Sequence, residues 1–345
     1  MAEKKKMTLL SDLGEFGLIE HLTRNISLKN PSSLKGVGDD AAVLDYKGKK
    51  MVLTTDLLVE GIHFNLVYTP LKHLGYKAIT VNLSDVYAMN AIPRQVVVSL
   101  AISGKFSLEA VDELYEGIKL ACENYKVDLV GGDTTSSVTG LTLSVAAIGE
   151  VEAGQTVYRN TARVNDLICV SGNLGAAYMG LQLLERERRI FEDSSSGIQP
   201  DLSGYEYILG RQLKPEARKD IIDSLRENEI VPHAMIDLSD GLSSDLLHLC
   251  RQSGMGCRIF QDKIPIDKET ARAAKEMEIE PFICALNGGE DYELLFTVPL
   301  SLHDKILKIN NVSIIGHIAE ADAGTKFITE HGSEIELQAQ GWNSL

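Results

Sequence analysis

Five short stretches of the chain set aspartates beside a glycine or a short apolar run, with hydroxyl residues close by. They are Gly38-Asp39-Asp40, Thr54-Thr55-Asp56, Asn82-Leu83-Ser84-Asp85, Gly131-Gly132-Asp133-Thr134-Thr135 and Asp237-Leu238-Ser239-Asp240. Taken singly, each aspartate reads better as a helix cap or a turn closer than as part of a site. Taken together they point to one site, because strand ends and glycine turns are where a rigid scaffold presents side chains to a ligand. Two carboxylates about 4 Å apart repel by about 4 kcal/mol at an effective dielectric near 20, so a convergent set must take up protons or cations. The donors are all oxygens, with no histidine or cysteine among them, which favours Mg²⁺ or Ca²⁺ over zinc or copper. The EF-hand spacing is absent. Mg²⁺ is usually held by one or two carboxylates together with substrate phosphates. The chemistry these residues suit is therefore phosphate chemistry assisted by a divalent cation.

The elements that must carry these residues can be read from periodicity. Residues 51–55 (MVLTT) form a short strand expected to stop at Asp56, and 76–89 has apolar residues at helical spacing. Residues 95–102 (QVVVSLAI) read as a buried strand. Residues 107–125 read as an amphipathic helix with Ser107 as N-cap and Val111, Leu114, Ile118 and Ala121 as its stripe. Tyr115 lies beside that stripe, where core packing is favoured over stacking on an adenine. Strands follow at 127–130, ending at Gly131-Gly132-Asp133, and at 141–151. After a turn at Glu152-Ala153-Gly154 the texture changes, which divides the chain into domains 1–152 and 153–345. In the second half, strands are expected at 166–171, 233–236, 257–260, 293–298 and 312–315. Helices are expected after Gly175, at 215–227 and from Gly241 to Arg251, with a Ser/Gly/Asp-rich flexible excursion at 192–205. Mixed strands and helices in both halves predict an α+β (or mixed α/β) fold.

Composition narrows the function classes. The chain has 345 residues, with 34 Lys and Arg against 49 Asp and Glu, for a formal charge of −15. Such a surface repels phosphate backbones and anionic lipid, so neither a nucleic acid nor a membrane is an expected partner. No apolar run reaches the length of a membrane span, and residues 1–7 lack the apolar segment of a signal peptide. The five scattered cysteines form no C-x-x-C pair, which reads as a reduced, cytoplasmic protein. The Walker A loop, the protein-kinase signatures, the dinucleotide G-x-G-x-x-G and the nucleophile elbow G-x-S-x-G are all missing.

Together the motifs resemble the signature of the thiamine-monophosphate kinase family. They are Gly36-Val37-Gly38-Asp39-Asp40-Ala41-Ala42, Thr54-Thr55-Asp56 with Gly61-Ile62-His63-Phe64, Val81-Asn82-Leu83-Ser84-Asp85 and Gly131-Gly132-Asp133-Thr134-Thr135. To these add Ile236-Asp237-Leu238-Ser239-Asp240-Gly241-Leu242 and Gly288-Gly289-Glu290-Asp291-Tyr292-Glu293-Leu294. Order and spacing hold from about residue 14 to the end. The first motif alone marks only the wider group of aminoimidazole-ribotide synthetase, selenophosphate synthetase and a hydrogenase-maturation protein. Residues 11–17 lack the cysteine usual in selenophosphate synthetases. Asn287 stands where the family often has Ser.

The resemblance implies a two-domain aminoimidazole-ribotide synthetase-like fold of mixed sheets covered by helices. It implies a cytoplasmic homodimer that uses ATP and several Mg²⁺ ions to phosphorylate thiamine monophosphate to thiamine diphosphate. By the same resemblance Asp40, Thr54, Thr55, Asp56, Asp85, Asp133, Asp237 and Asp240 match metal-binding positions, and Gly132, Asp133, Arg159 and Ser239 match ATP-binding positions. His63, Glu290 and Trp342 match positions that contact the acceptor substrate. No residue is assigned as nucleophile or general base.

Overall fold

The computed structural model describes residues 33–35, 38–46, 48–193 and 202–339. Among these residues two mixed sheets carry the fold. The first contains β1 (Ser33–Lys35), β2 (Ala42–Tyr46), β3 (Lys49–Val59), β4 (Ile92–Ile102), β5 (Asp128–Ser136) and β6 (Thr142–Glu152), in the order β1-β2-β3-β6-β4-β5. The second contains β7 (Leu167–Ser171), β8 (Ala234–Asp237), β9 (Gly256–Phe260), β10 (Leu294–Val298), β11 (Val312–Ala319), β12 (Thr325–Ile328) and β13 (Glu334–Glu336). Its order is β13-β12-β9-β11-β7-β10-β8. Antiparallel pairs dominate both sheets, with one parallel pair in each, β4 with β5 and β9 with β12. This is the α+β architecture expected.

Helices α1 (Leu71–Ala88) and α2 (Leu108–Tyr125) belong to the first half. The second half holds α3 (Ala176–Asp193), α4 (Glu206–Leu213), α5 (Lys219–Glu227), α6 (Leu242–Ser253), α7 (Lys268–Glu276), α8 (Pro281–Asn287) and α9 (His303–Ile306). The Ser107 hydroxyl accepts from the Ala110 N–H at 3.3 Å and so caps α2 as expected. Tyr115 is partly buried against the first core. The two helices approach so closely that a Cβ at Gly75 would lie 2.0 Å from the Leu114 carbonyl oxygen, and one at Gly117 would lie 1.9 Å from that of Lys72. Only glycine at both positions permits the crossing.

Helix α1 sets the geometry of the site. Residues 74–84 are buried on every side, because the helix lies against the first sheet and also reaches β8 of the second. A helix buried all round must be apolar or satisfy each polar group internally. Here Asn82 donates to the Ala78 carbonyl at 3.0 Å and Thr80 to that of Lys77 at 3.2 Å, while Lys77, Ser84 and Asp85 reach out to other elements.

Several strands run further than sequence periodicity indicated. β3 continues past Asp56 to Val59 because β6 pairs with it along its whole length. β5 carries on through Gly131-Gly132-Asp133 to Ser136 alongside β4. The helix expected from residue 215 starts only at Lys219. Part of the expected excursion at 192–205 lies outside the described residues, and α4 follows it directly. No helix among the described residues is long and apolar enough to cross a membrane.

Candidate active site

Alternation along β3 decides which hydroxyls and carboxylates face the interior. Thr54 and Asp56 point toward α1, whereas Thr55 points to the opposite face and donates to the Val145 carbonyl at 2.8 Å. Thr54 donates to Asp85 Oδ2 at 2.6 Å, and the Asp56 N–H donates to the Asn82 side-chain oxygen at 3.1 Å. One turn of α1 thus fastens the middle of β3 through Asn82 and Asp85. Ser84, between Asn82 and Asp85 in that turn, donates to Asp237 Oδ2 at 2.7 Å and ties the end of β8 to the same helix.

Asp40, Asp85 and Asp237 converge as a result. Each offers a carboxylate oxygen within 4.8 Å of the other two. Burial pushes Asp85 and Asp237 well above the usual carboxylate range. The charge of Asp56 and then Asp237 adds to this at Asp85, and that of Asp40 adds to it at Asp237. Burial raises Asp56 to about 6 as well. Asp39 rises to about 6 through burial and the adjacent Asp40, against the pull of Arg159 and Lys35.

Two cations meet these groups: Lys35, 3.6 Å from Asp39, and Arg159. The fork of Arg159 grips Asp40 in two places, Nε at 3.0 Å and Nη2 at 2.6 Å, while its own N–H donates to Asp39 at 3.1 Å. Burial opposes the guanidinium charge, but Asp40 and Asp39 outweigh it and hold the group above its ordinary value. One guanidinium and one ammonium against Asp39, Asp40, Asp56, Asp85 and Asp237 leave the cluster short of positive charge. The donors are carboxylate and hydroxyl oxygens only, a set that fits a hard divalent cation such as Mg²⁺.

Asp237 opens the turn Asp237-Leu238-Ser239-Asp240, and Gly241 then starts α6 with φ at +107°. Asp245, in the first turn of α6, accepts from the Asp240 N–H at 3.2 Å and fixes the turn. The loop 288–292 is laid along it. The Glu290 N–H donates to the Ser239 carbonyl at 2.8 Å and the Tyr292 N–H to that of Leu238 at 2.9 Å. A Cβ at Gly289 would lie 2.4 Å from the Ser239 oxygen, so the approach requires glycine. Glu290 and Tyr292 both sit at positive φ, +66° and +50°, the kind of backbone strain that persists where surrounding bonds over-determine it. The base of the loop is anchored by Glu293, which is fully buried and bound by Ser171, Arg218 and, at 2.8 Å, Arg211.

Other expected positions lie further out. Asp133 is exposed on β5, opposite the outward-facing Ser99, beside Gly132, and outside the three-carboxylate cluster. His63 sits in the exposed turn after β3, where Nδ1 accepts from the Val59 N–H at 3.0 Å. Trp342 lies outside the described residues. Sequence reasoning did not single out Asn82, Ser84 and Asp245 as supports, nor the Lys77 and Gln212 side chains that meet Glu290. Their only signal was spacing, since Lys77 precedes Ser84 and Asp85 by two helical turns.

Comparison with known proteins bears on this geometry. A family model described as AIR synthase related protein, N-terminal domain, matches residues 38–151. The chain is 35% identical over 333 residues to thiamine-monophosphate kinase of Aquifex aeolicus (strain VF5), covering 96% of this chain and 98% of that protein. It is 32% identical over 345 residues to thiamine-monophosphate kinase of Bacillus subtilis (strain 168), covering 96% and 99%. A solved structure described as "AaThiL complexed with AMPPCP and TMP" superposes with a TM-score of 0.84 at 33% identity, over 99% of this chain and 100% of that one. Full-length similarity at this level, on a fold that brings the signature aspartates together, shows that the chain belongs to the thiamine-monophosphate kinase family.

Proposed function

We propose that this chain transfers the γ-phosphoryl group of ATP to the phosphate of thiamine monophosphate, giving thiamine diphosphate and ADP. The observation that carries the reading is the convergence of Asp40, Asp85 and Asp237 within 4.8 Å, a charge deficit suited to cation-bridged phosphates. A solved relative that carries AMPPCP and TMP together supports it. In this reading Asp40, Asp85 and Asp237 would hold Mg²⁺, with Thr54 and Asp56 beside them and Asp240 in the adjoining turn; Thr55 faces the other side of β3 and Asp133 lies outside this cluster, so either would serve only a separate ion. The bound cations would offset phosphate charge that the acidic chain cannot.

The protein's own part is positioning and charge. Gly132, Asp133, Arg159 and Ser239 are proposed to contact ATP. An open cavity of about 480 Å³ between β5 and the start of α2, lined by Phe106, Val111 and Thr134 among others, suits the base. A phosphate oxygen of the acceptor attacks the γ-phosphorus in line, the bond to the β-phosphate oxygen breaks, and ADP leaves with that electron pair. A phosphate monoester is already mostly a dianion at neutral pH, so no side chain need remove a proton. His63, Glu290 and Trp342 are proposed to hold the acceptor.

An ADP-release assay with thiamine monophosphate, thiamine and aminoimidazole precursors tests the reading. ADP is expected with thiamine monophosphate alone; release with another acceptor and not with it would overturn the assignment. In the same assay Trp342→Ala should raise KM for thiamine monophosphate about ten-fold and spare that for ATP, the scale of a lost stacking contact.

A homodimer, a cytoplasmic location and a domain boundary at 152/153 belong to the same proposal. The outer face of the first sheet exposes Leu53, Leu57, Val97 and Val130, and a second copy covering it would remove that apolar surface from water. Light scattering at micromolar concentration should give twice the chain mass; a stable monomer would refute the dimer. All five cysteines are buried free thiols, which suits a reducing compartment.

A further inference from the structure

Lys77 is an ammonium group inside a helix, with a side chain only 3% exposed. Burying it would be costly unless it were paired and hydrogen-bonded, and it is both. Its Nζ lies 2.8 Å from Glu290 Oε1 and donates to the Gln212 carbonyl at 3.1 Å. The Gln212 side chain completes the arrangement, since Nε2 donates to Glu290 Oε2 at 2.7 Å. Both oxygens of Glu290 are therefore held, one by α1 and one by α4. The carboxylate still opens outward, with its side chain 27% exposed.

We propose that Lys77 is a positioning residue of the acceptor site, one that clamps Glu290 with Gln212 and presents it, already neutralised, to an N–H donor on the acceptor's ring system. This rests on the reading that Glu290 faces the acceptor. A carboxylate paired with a buried ammonium carries little net charge, so it recognises a hydrogen-bond donor rather than serving as counter-ion to a cationic ring. The placement on α1 gives the clamp a second consequence. Ser84 and Asp85 follow Lys77 by seven and eight residues, about 10–12 Å along the axis at the usual rise. One rigid helix thereby fixes the distance between the acceptor loop and the carboxylate cluster.

Steady-state kinetics of the full chain with thiamine monophosphate and ATP test this through Lys77→Met, Lys77→Arg, Glu290→Gln and the double variant Lys77→Met/Glu290→Gln. Lys77→Met should raise KM for thiamine monophosphate about ten-fold, the loss of one charged hydrogen bond, with kcat and the KM for ATP within about two-fold. Lys77→Arg should restore most of that loss. In the Glu290→Gln background, Lys77→Met should add less than about two-fold, because its effect passes through the carboxylate. The inference falls if Lys77→Met leaves the acceptor KM unchanged or lowers it while Glu290→Gln raises it. It falls too if both substrates suffer equally with a lowered melting temperature, or if the two changes simply multiply. Glu290→Gln without effect on the acceptor KM would instead remove the reading of Glu290 on which the clamp depends.

Discussion

Asp85→Asn should lower turnover by about two to three orders of magnitude, the scale seen when one group that stabilises transition-state charge is removed. In Mg²⁺-free buffer the same variant should melt higher than the unaltered protein. The two effects have one cause. Desolvation of the Asp85 carboxyl and the facing charges of Asp56, Asp237 and Asp40 push it far above the usual range. Without a cation that crowding destabilises the fold, and a neutral amide of the same shape relieves it. The amide oxygen can still accept from the Thr54 hydroxyl that now reaches Asp85 Oδ2 at 2.6 Å, so α1 keeps its hold on β3. What is lost is a charged ligand for the cation. Higher stability with collapsed activity is the stability–function trade-off expected of a strained site. Unaltered turnover would remove the role given to the cluster. A lower melting temperature without Mg²⁺ would show that the carboxylates do not crowd one another.

Much of the site was legible because its motifs are local. Glycine–aspartate and hydroxyl–aspartate spacings survive in the sequence whatever the tertiary fold, and α2 with its Ser107 cap follows from periodicity and capping alone. What the spacings could not give was convergence. Thr54 and Asp56 face the cluster while Thr55 faces away, because β3 runs unbroken through Asp56, and only pairing with β6 determines that. Asp133, in an equally suggestive motif, falls on an exposed stretch of β5 outside the cluster. The supports were hidden for a different reason. Helix α4 has eight residues, too few to be stable by propensity, and forms where Arg211 and Gln212 bind the loop ending in Glu293. Lys77 looks in sequence like a solvated helical lysine. Its burial is a property of α1 lying between the first sheet and the elements of the second half.

Stability measured against pH, with and without Mg²⁺, should show that the ion's stabilising effect grows between pH 5 and pH 8. Asp39 and Asp56 have carboxyls raised to about 6 in the fold, against an ordinary 3.8. A carboxyl raised by folding holds its proton more tightly in the native state. Its contribution is therefore complete below about 3.8 and lost as pH climbs through 6. At pH 5 each contributes on the order of 1 kcal/mol that is gone by pH 8. Asp85 and Asp237 act in the same direction at higher pH. A divalent cation binds the ionised forms, so it displaces protons at pH 5 and finds the site ready at pH 8. The carboxylates held low by partners, such as Glu150 beside Arg94 and Lys49, act only below about 4.5 and stay outside this window. His248 does act within it. Burial pushes it down to about 4, so the fold loses stability as the unfolded chain takes up its proton below about 6.5. The raw melting curve thus mixes opposing trends, and the difference between Mg²⁺-saturated and Mg²⁺-free melting temperatures isolates the cluster. That difference should be large at pH 8 and shrink toward pH 5. An equal gain at both pH values would mean that the cation binds elsewhere, away from the carboxylates that α1 draws together.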